Sequence, residues 1–460
     1  MIKSHYLQSA FKRCCLTLLF LATLNTKSFG WDFSVDNLSY DILSLEDKTC
    51  MVVYGYSKNN KAGVIIPDEV IYNDNNVSVI KIADRAFNLG YIYALTIPSS
   101  VIEVGEAACH GTTLSKVIFK ENSLKKQPVV IGNSAFSDSR VSSVSLSSNI
   151  NKIGDFAFFQ CLRLSNINLE VSSITEIGES CFACTEKLES IIIPSTVHTI
   201  KAAAFSGSGI KNIAGGESVT SIGPSAFSCC ESLKHLVIGK SLKVINENTY
   251  SWCSSLTDVT IPSTIEEIKS GAFWAIDMNS FKLEDCEQPI KFSTTEKVIA
   301  NCGIHHIYLG RPLVIDNPLD KPCLAIGDNG TLELGKNINE LSSEVVGPYE
   351  NIRILISHNL TPPTIPEMTN ATYAGLKVRV PAEALEAYKQ APVWKNFWNI
   401  KAIEDESGIS DIERDDDDSF QVYDTNGILV DASCTSEKLQ QLPHGVYIVV
   451  KQDKRMKIKL

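Results

Sequence analysis

The sequence predicts a mostly-β solenoid, with short parallel strands stacked in a right-handed superhelix, short helical or irregular turns, and a small C-terminal β module. Three observations predict it. First, a pattern of an aliphatic residue, usually Gly, two variable residues, a small residue and an aromatic recurs nine times, starting at Ile82, Val104, Ile131, Ile153, Ile177, Ile200, Ile222, Ile245 and Ile268. The starts lie 22–24 residues apart except for one step of 27. A near-constant period of this length marks coils that bury their apolar faces only by stacking on one another. Second, apolar-x-x-apolar-x-apolar runs separate the copies, as in Leu114 to Phe119, Leu164 to Leu169, Leu188 to Ile193, Leu233 to Ile238 and Leu256 to Ile261. Period-two alternation at the end of each is a short half-buried strand, which Pro98, Pro194 and Pro262 close by withholding an N–H. Third, Gln421-Val422-Tyr423 and Ile428-Leu429-Val430 flank Asp424-Thr425-Asn426-Gly427, and Asn-Gly is a hairpin turn.

In chain order, residues 1–30 read as a signal peptide. Lys12-Arg13 precede the apolar stretch from Cys14 to Leu24, and Ser28-Phe29-Gly30 places small residues ahead of a cut before Trp31. The stretch is too short for a stable membrane anchor, and the mature chain holds no transmembrane segment. Residues 31–79 form an N-terminal cap with a strand-like Val64-Ile65-Ile66-Pro67, and residues 80–283 carry the regular repeats. There the aliphatics point inward, Gly relaxes the backbone at a corner, and the small-aromatic pair fills the interior. Residues 284–360 are degenerate repeats in which Ile304 to Leu309 and Leu332-Glu333-Leu334 still read as strands. Residues 361–404 form the C-terminal cap. Val380-Pro381 opens a helix with Leu385 and Tyr388 on one face, and Pro392 ends it. Trp394, Phe397 and Trp398 then make one apolar stripe, expected as a closing plug, with a sugar-stacking platform as the alternative. Residues 405–419, with four consecutive Asp from Asp415 to Asp418, are an acidic linker, and residues 420–460 are the β module.

Composition narrows the function. With 44% hydrophobic and 21% charged residues the chain buries a core, and its net charge of −11 argues against nucleic acid or anionic membrane as partner. Of 14 cysteines, Cys161, Cys230 and Cys253 each follow the repeat aromatic by three residues, a recurrent inward position. Buried free thiols are expected there, although stacking brings Cys230 and Cys253 near disulfide distance. Cys181 and Cys184 form a pair without a second pair or His at matching spacing, so no metal is expected. His305-His306 alternate faces of a strand. No cofactor loop and no nucleophile elbow occurs, which points away from an enzyme.

The copies Ile153-Gly154-Asp155-Phe156-Ala157-Phe158 and Ile222-Gly223-Pro224-Ser225-Ala226-Phe227, with Ile191-Ile192-Ile193-Pro194-Ser195, resemble the BspA-type leucine-rich repeat proteins from about Val64 to Glu404. They depart from that pattern at Asn246 and Lys269 in place of Gly and at Cys109 in place of the aromatic. The resemblance implies a leucine-rich-repeat solenoid on an exported surface protein of host-associated bacteria. The Pro–helix–Tyr–Trp ending is similar to that family's C-terminal cap. The last forty or so residues, with Gly445-Val446-Tyr447 and a basic terminus, resemble a type IX secretion sorting domain, which implies export across an outer membrane in the manner of Bacteroidetes.

The strand ladder is the candidate recognition surface. The third and fifth positions of each strand unit point outward, giving one column of Lys116, Ser143, Asn166, Ser190, Asn212, His235, Asp258, Ser280 and His306. Its neighbour is Ile118, Ser145, Asn168, Ile192, Ala214, Val237, Thr260, Lys282 and Tyr308. Candidate binding residues are Lys116, Asn166, Asn168, Asn212, His235, Asp258, Thr260, Lys282, His306 and Tyr308, with the end from His235 to Tyr308 favoured. A polar ladder suits an extended partner, protein or glycan, on a host or neighbouring cell surface. The expected function is a non-catalytic binding module or adhesin at the cell surface or outside the cell, with no cofactor. A secreted enzyme or enzyme accessory built on the solenoid, or a structural envelope component, is the alternative.

Overall fold

A computed structural model describes residues 30–56, 63–121, 127–239, 241–293, 299–316, 322–403, 420–424, 428–434, 438–439, 441–443, 446–451 and 454–459. The expected signal peptide, the acidic run Asp415 to Asp418 and the Asn426-Gly427 turn lie outside the described residues. The chain winds as a mostly-β solenoid of about 13 turns. Each regular turn contributes two short strands, where the sequence pattern showed one. The ladder strands pair in parallel, as in Gly63–Ile65, Ala94–Ile97, Lys116–Phe119, Ser143–Ser145 and Asn166–Ile167. The aliphatic that opens each repeat motif ends a second strand, as in Glu103–Val104, Val129–Ile131 and Ile150–Ile153, and these form their own parallel sheet. Before the first coil, Phe33–Val35, Leu38–Ser44 and Thr49–Gly55 meander antiparallel, and the last of them pairs in parallel with Asn75–Ile82.

The arc between the two sheets is where the repeat motif acts. Its aromatic rings are fully buried and stack coil on coil, Phe136, Phe158, Phe182, Phe205, Phe227, Tyr250 and Phe273, with centroids 5.4–5.6 Å apart and planes within 2–11°. Alternate backbone amides of the arc point to the next coil. Ser134, Phe136 and Asp138 donate to Asp155, Ala157 and Phe159, while Ala135 and Ser137 donate within their own coil. This alternation uses left-handed backbone at the fourth and eighth motif positions, where non-glycine residues such as Ser134 (φ +53°), Asp138 (φ +58°) and Phe156 (φ +58°) sit.

The motif glycine serves a different purpose from the corner freedom expected of it. Gly105, Gly132, Gly154, Gly178 and Gly223 do not have positive φ. A Cβ at Gly154 would lie 2.7 Å from Asn133 N and 2.7 Å from Gly132 C. Close approach of the preceding coil's backbone therefore excludes side chains there. One position on, a polar side chain closes the joint: Asp84, Asn133 and Asp155 accept from the backbone N–H of Glu106, Asp155 and Glu179 in the following coil.

None of the described cysteines is in a disulfide. The phase-locked thiols each donate to the carbonyl of the previous coil's aromatic, Cys161 to Phe136, Cys230 to Phe205 and Cys253 to Phe227, all at 3.1 Å. Burial pushes the thiols of Cys161 and Cys230 up to about 12, even though Ser139 and Ser208 hydroxyls beside them act the other way.

At the C-terminal end, Leu385–Gln390 is helical and Tyr388 and Trp394 pack edge to face at 4.7 Å. Trp394 Nε1 donates to Pro363 O at 2.7 Å, and Tyr388 bonds Ser357 and the carbonyl of Asn359. Trp394 and Phe397 thus form a buried plug. Trp398 leaves it, because the segment is a 3-10 turn followed by extended chain and not a continuous helix. Trp398 packs instead against Val422, Cys434, Leu439, Tyr447 and Val449 of the β module. That module is a four-stranded antiparallel sheet of Phe420–Asp424, Leu429–Cys434, Val446–Lys451 and Lys454–Lys459.

Candidate functional site

Where the repeat pattern fades, the ladder sheet becomes longest, with register shifts within Ile299–Leu309 and Leu324–Leu334. Asp258–Ile261, Ser280–Leu283, Ile299–Leu309, Leu324–Leu334, Ile352–Ser357, Lys377–Val380 and Asn399–Ala402 pair in parallel without interruption. Register sets Thr260, Lys282, Tyr308 and Glu333 side by side in one outward column, and Asp258, Ser280, His306 and Thr331 in the next. Neighbours in such a column are one strand spacing apart, about 4.8 Å. Together with the turn residues Asp285, Lys336 and His358, these strands line a cleft of about 490 Å³.

Two carboxylates organise the cleft. Glu333, with 19% of its side chain exposed, receives His306 Nε2 on one oxygen at 2.8 Å and His358 Nε2 on the other at 2.6 Å. Burial pushes the Glu333 carboxyl up, but the two imidazoles outweigh it and hold the group at about 2. Asp285 accepts the Tyr308 hydroxyl on both oxygens, at 2.9 and 3.0 Å. Burial, and then that same carboxylate, push the Tyr308 hydroxyl well above its ordinary range. Lys282 stands over the Tyr308 ring with its ammonium 5.0 Å from the centroid, within cation–π range. Gly335 lies behind this corner: a Cβ there would lie 2.9 Å from Asp285 Oδ1, 2.9 Å from Gly310 Cα and 3.0 Å from the Tyr308 hydroxyl. Among the described residues no group of three or more His, Cys, Asp or Glu is placed to hold a metal ion.

The repeats up to residue 304, which carry the first part of the cleft, match the model of the BspA type leucine rich repeat region in six copies, over residues 71–128, 119–206 and 175–304, which together span half of the chain. The chain belongs to the BspA-type leucine-rich-repeat family. No curated protein matches it. Among solved structures it is similar to a leucine rich cell surface protein from Faecalibacterium prausnitzii, at 18% identity over 82% of this chain and 95% of that one, with a TM-score of 0.41. It is also similar to the pneumococcal vaccine antigen PcpA, at 18% identity over 81% and 98%, with a TM-score of 0.43. A leucine-rich repeat protein from Bacteroides ovatus matches at 18% identity over 81% and 100%, with a TM-score of 0.40.

In this BspA-type solenoid the outward columns are not continuous. Lys116, Ser143 and Asn166 share a register, and Ser190 pairs with Asn212, but the ladder sheet is interrupted on either side of that second pair. The first break follows Asn166–Ile167. Asn168 leads into a 3-10 turn, and its amide both accepts from the N–H and donates to the carbonyl of Leu146, so it joins coils instead of facing outward. The second break falls at His235. No strand forms there, and Val237, expected outward, is buried. The buried Tyr250 hydroxyl takes the Val237 carbonyl at 2.7 Å, and Gly215 and Gly216 turn the previous coil through left-handed backbone. His235 therefore does not continue the Asp258 column.

Of the ten candidates, Thr260, Lys282, His306 and Tyr308 line the cleft. Asp258 borders it by accepting the Ser280 hydroxyl at 2.6 Å, which together with Thr257 holds its carboxyl below the usual range. Sequence reasoning missed Asp285, Glu333, Lys336 and His358. Glu333 lay in a strand that was readable, and carrying the Tyr308 column one coil further would have found it. The other three sit just past strand ends, where no periodicity marks them.

Proposed function

We propose that this protein is exported and acts at the cell surface as a non-catalytic binding protein, recognising a protein or glycan of a host or neighbouring cell through the cleft on its ladder sheet. One observation carries the reading: Ser280, Lys282, His306, Tyr308, Glu333 and His358 converge from successive coils on one cleft. Polar groups converging in a concavity of a few hundred Å³ are what fixes orientation and specificity in a ligand site. The clamped carboxylates support binding over turnover, because Glu333 is held as an acceptor and Asp285 is occupied by Tyr308. Export rests on the basic and apolar N-terminus, and the C-terminal sheet is assigned as the sorting module of that route.

The test uses the whole chain against immobilised extracellular-matrix glycoproteins and a glycan panel. Saturable binding without turnover, lost in Thr260→Trp, which places a large ring in the cleft, supports the reading. Binding that survives Thr260→Trp in a folded protein refutes the cleft, and hydrolysis of a panel member refutes the non-catalytic assignment. For export, the secreted protein is expected to begin at Trp31, and a chain truncated after residue 419 is expected to stay inside the outer membrane.

A further inference from the structure

Charge in the cleft is unevenly engaged. Both carboxylates have partners on each oxygen, Asp285 from Tyr308 and Glu333 from His306 and His358. The two cations do not. Lys282 meets the Tyr308 ring, and among the described residues neither Lys282 nor Lys336 reaches a carboxylate. Other lysines have carboxylate partners: Lys81, Lys201, Lys269 and Lys291 are paired with Glu103, Glu176, Glu247 and Asp316, and Lys211 beside the ladder with Glu189. In an acidic chain, two exposed lysines beside carboxylates already committed elsewhere leave a local demand for negative charge.

The remaining lining says what carries that charge. Thr260 and Ser280 present hydroxyls, His306 and His358 present imidazoles, and the Phe281 side chain is buried in the core, so Tyr308 is the cleft's one apolar ring. A peptide ligand draws its affinity from aromatic or aliphatic anchors seated in apolar pockets, and this cleft offers none. A polyhydroxylated acid meets hydrogen-bonding groups on every wall, and the cleft volume holds one or two sugar rings. Resting on the cleft reading above, we infer that the ligand is an acidic saccharide whose carboxylate lies between Lys282 and Lys336 while its hydroxyls bond Thr260, Ser280 and the imidazoles.

Calorimetric titration of the whole chain with tetragalacturonate, its methyl ester and tetraglutamate tests this. Tetragalacturonate is expected to bind one to one and to weaken as salt is raised, and the ester to bind at least about tenfold more weakly. Lys282→Gln and Lys336→Gln are each expected to cost about tenfold, while Lys152→Gln, exposed on the second sheet, changes nothing. Equal binding of the ester, lysine variants that bind like the parent, preference for tetraglutamate, or no saccharide binding at all would each overturn the inference. The two readings fail separately. A glycan from the panel that is lost in Thr260→Trp but indifferent to both lysines sinks only the acidic saccharide, whereas one indifferent to Thr260→Trp sinks the cleft itself.

Discussion

Replacing Arg311 by Met tests how the cleft is supported from below. Arg311 is the largest charged side chain in the interior, 1% exposed, and its guanidinium meets only backbone carbonyls: Gln288 at 2.9 Å, Ser263 at 3.0 Å, Ile265 at 2.9 Å and Pro289 at 3.2 Å. It thereby ties its own coil, which carries Tyr308, to the two coils that carry Thr260, Lys282 and Asp285. Burial lowers its proton affinity, as expected of a cation with no carboxylate in contact. Two effects oppose each other on substitution. Removing a buried cation relieves a desolvation cost of several kcal/mol, but four carbonyls lose a charge-assisted donor at about 1.5–3 kcal/mol each. The second sum is larger, and Met restores most of the packing volume, so the net loss should be about 3–5 kcal/mol. Arg311→Lys, with three donors and no planar fork, should fall between. Because coils of a solenoid open locally, hydrogen exchange is the appropriate assay, with loss of protection concentrated in residues 263–315. A loss below about 1 kcal/mol, or one spread evenly over the chain, would refute the reasoning.

Three further outcomes are expected. Gly154→Ala should destabilise by about 1–3 kcal/mol in thermal unfolding, because the new methyl meets backbone that cannot move aside; Ser134→Gly, at a left-handed position, should be neutral or slightly stabilising. Alkylation of the native protein followed by peptide mapping should leave Cys161, Cys230 and Cys253 unmodified and label the half-buried Cys286, and labelling all four at similar rates would contradict the packing. Glu333, held at about 2 against an ordinary 4.5, contributes stability that is fully present above pH 4.5 and is lost as pH falls toward 2. Allowing for its partial exposure, the loss is about 1–3 kcal/mol, and Glu333→Gln should flatten the acid limb of a pH–stability curve.

The solenoid was legible because its period is enforced by contacts that each need a particular residue type. A ring stacks best on a ring, although Cys109 holds that buried place in one coil, and glycine recurs where the coil before it comes within 3 Å, so Phe158 and Gly154 recur visibly. The second sheet was hidden because its strands are two to four residues long and end inside the motif already assigned to the turn. The continuous outward columns failed for a local reason. Replacing Phe by Tyr at position 250 brings a hydroxyl that must be satisfied in the core, and Val237 supplies the carbonyl. Part of the cleft was invisible because Asp285, Lys336 and His358 occupy turns, where position follows from three-dimensional closure and not from spacing.

The uniform joint between coils has an evolutionary consequence. Excising residues 154–177 would join Ile153 to Gly178, restoring the motif as Ile-Gly-Glu-Ser-Cys-Phe in one cut. Phe136 would then face Phe182 across the same 5.4–5.5 Å step it now makes with Phe158, and Asn133 would meet the N–H of Glu179 in place of that of Asp155. No new kind of interface arises, because every joint in this stretch is built from the same parts. Unequal crossing-over within the gene can therefore add or remove whole turns without renegotiating the core. Selection is left free to adjust the reach of the molecule separately from the cleft, whose lining begins at Thr260, well past this stretch.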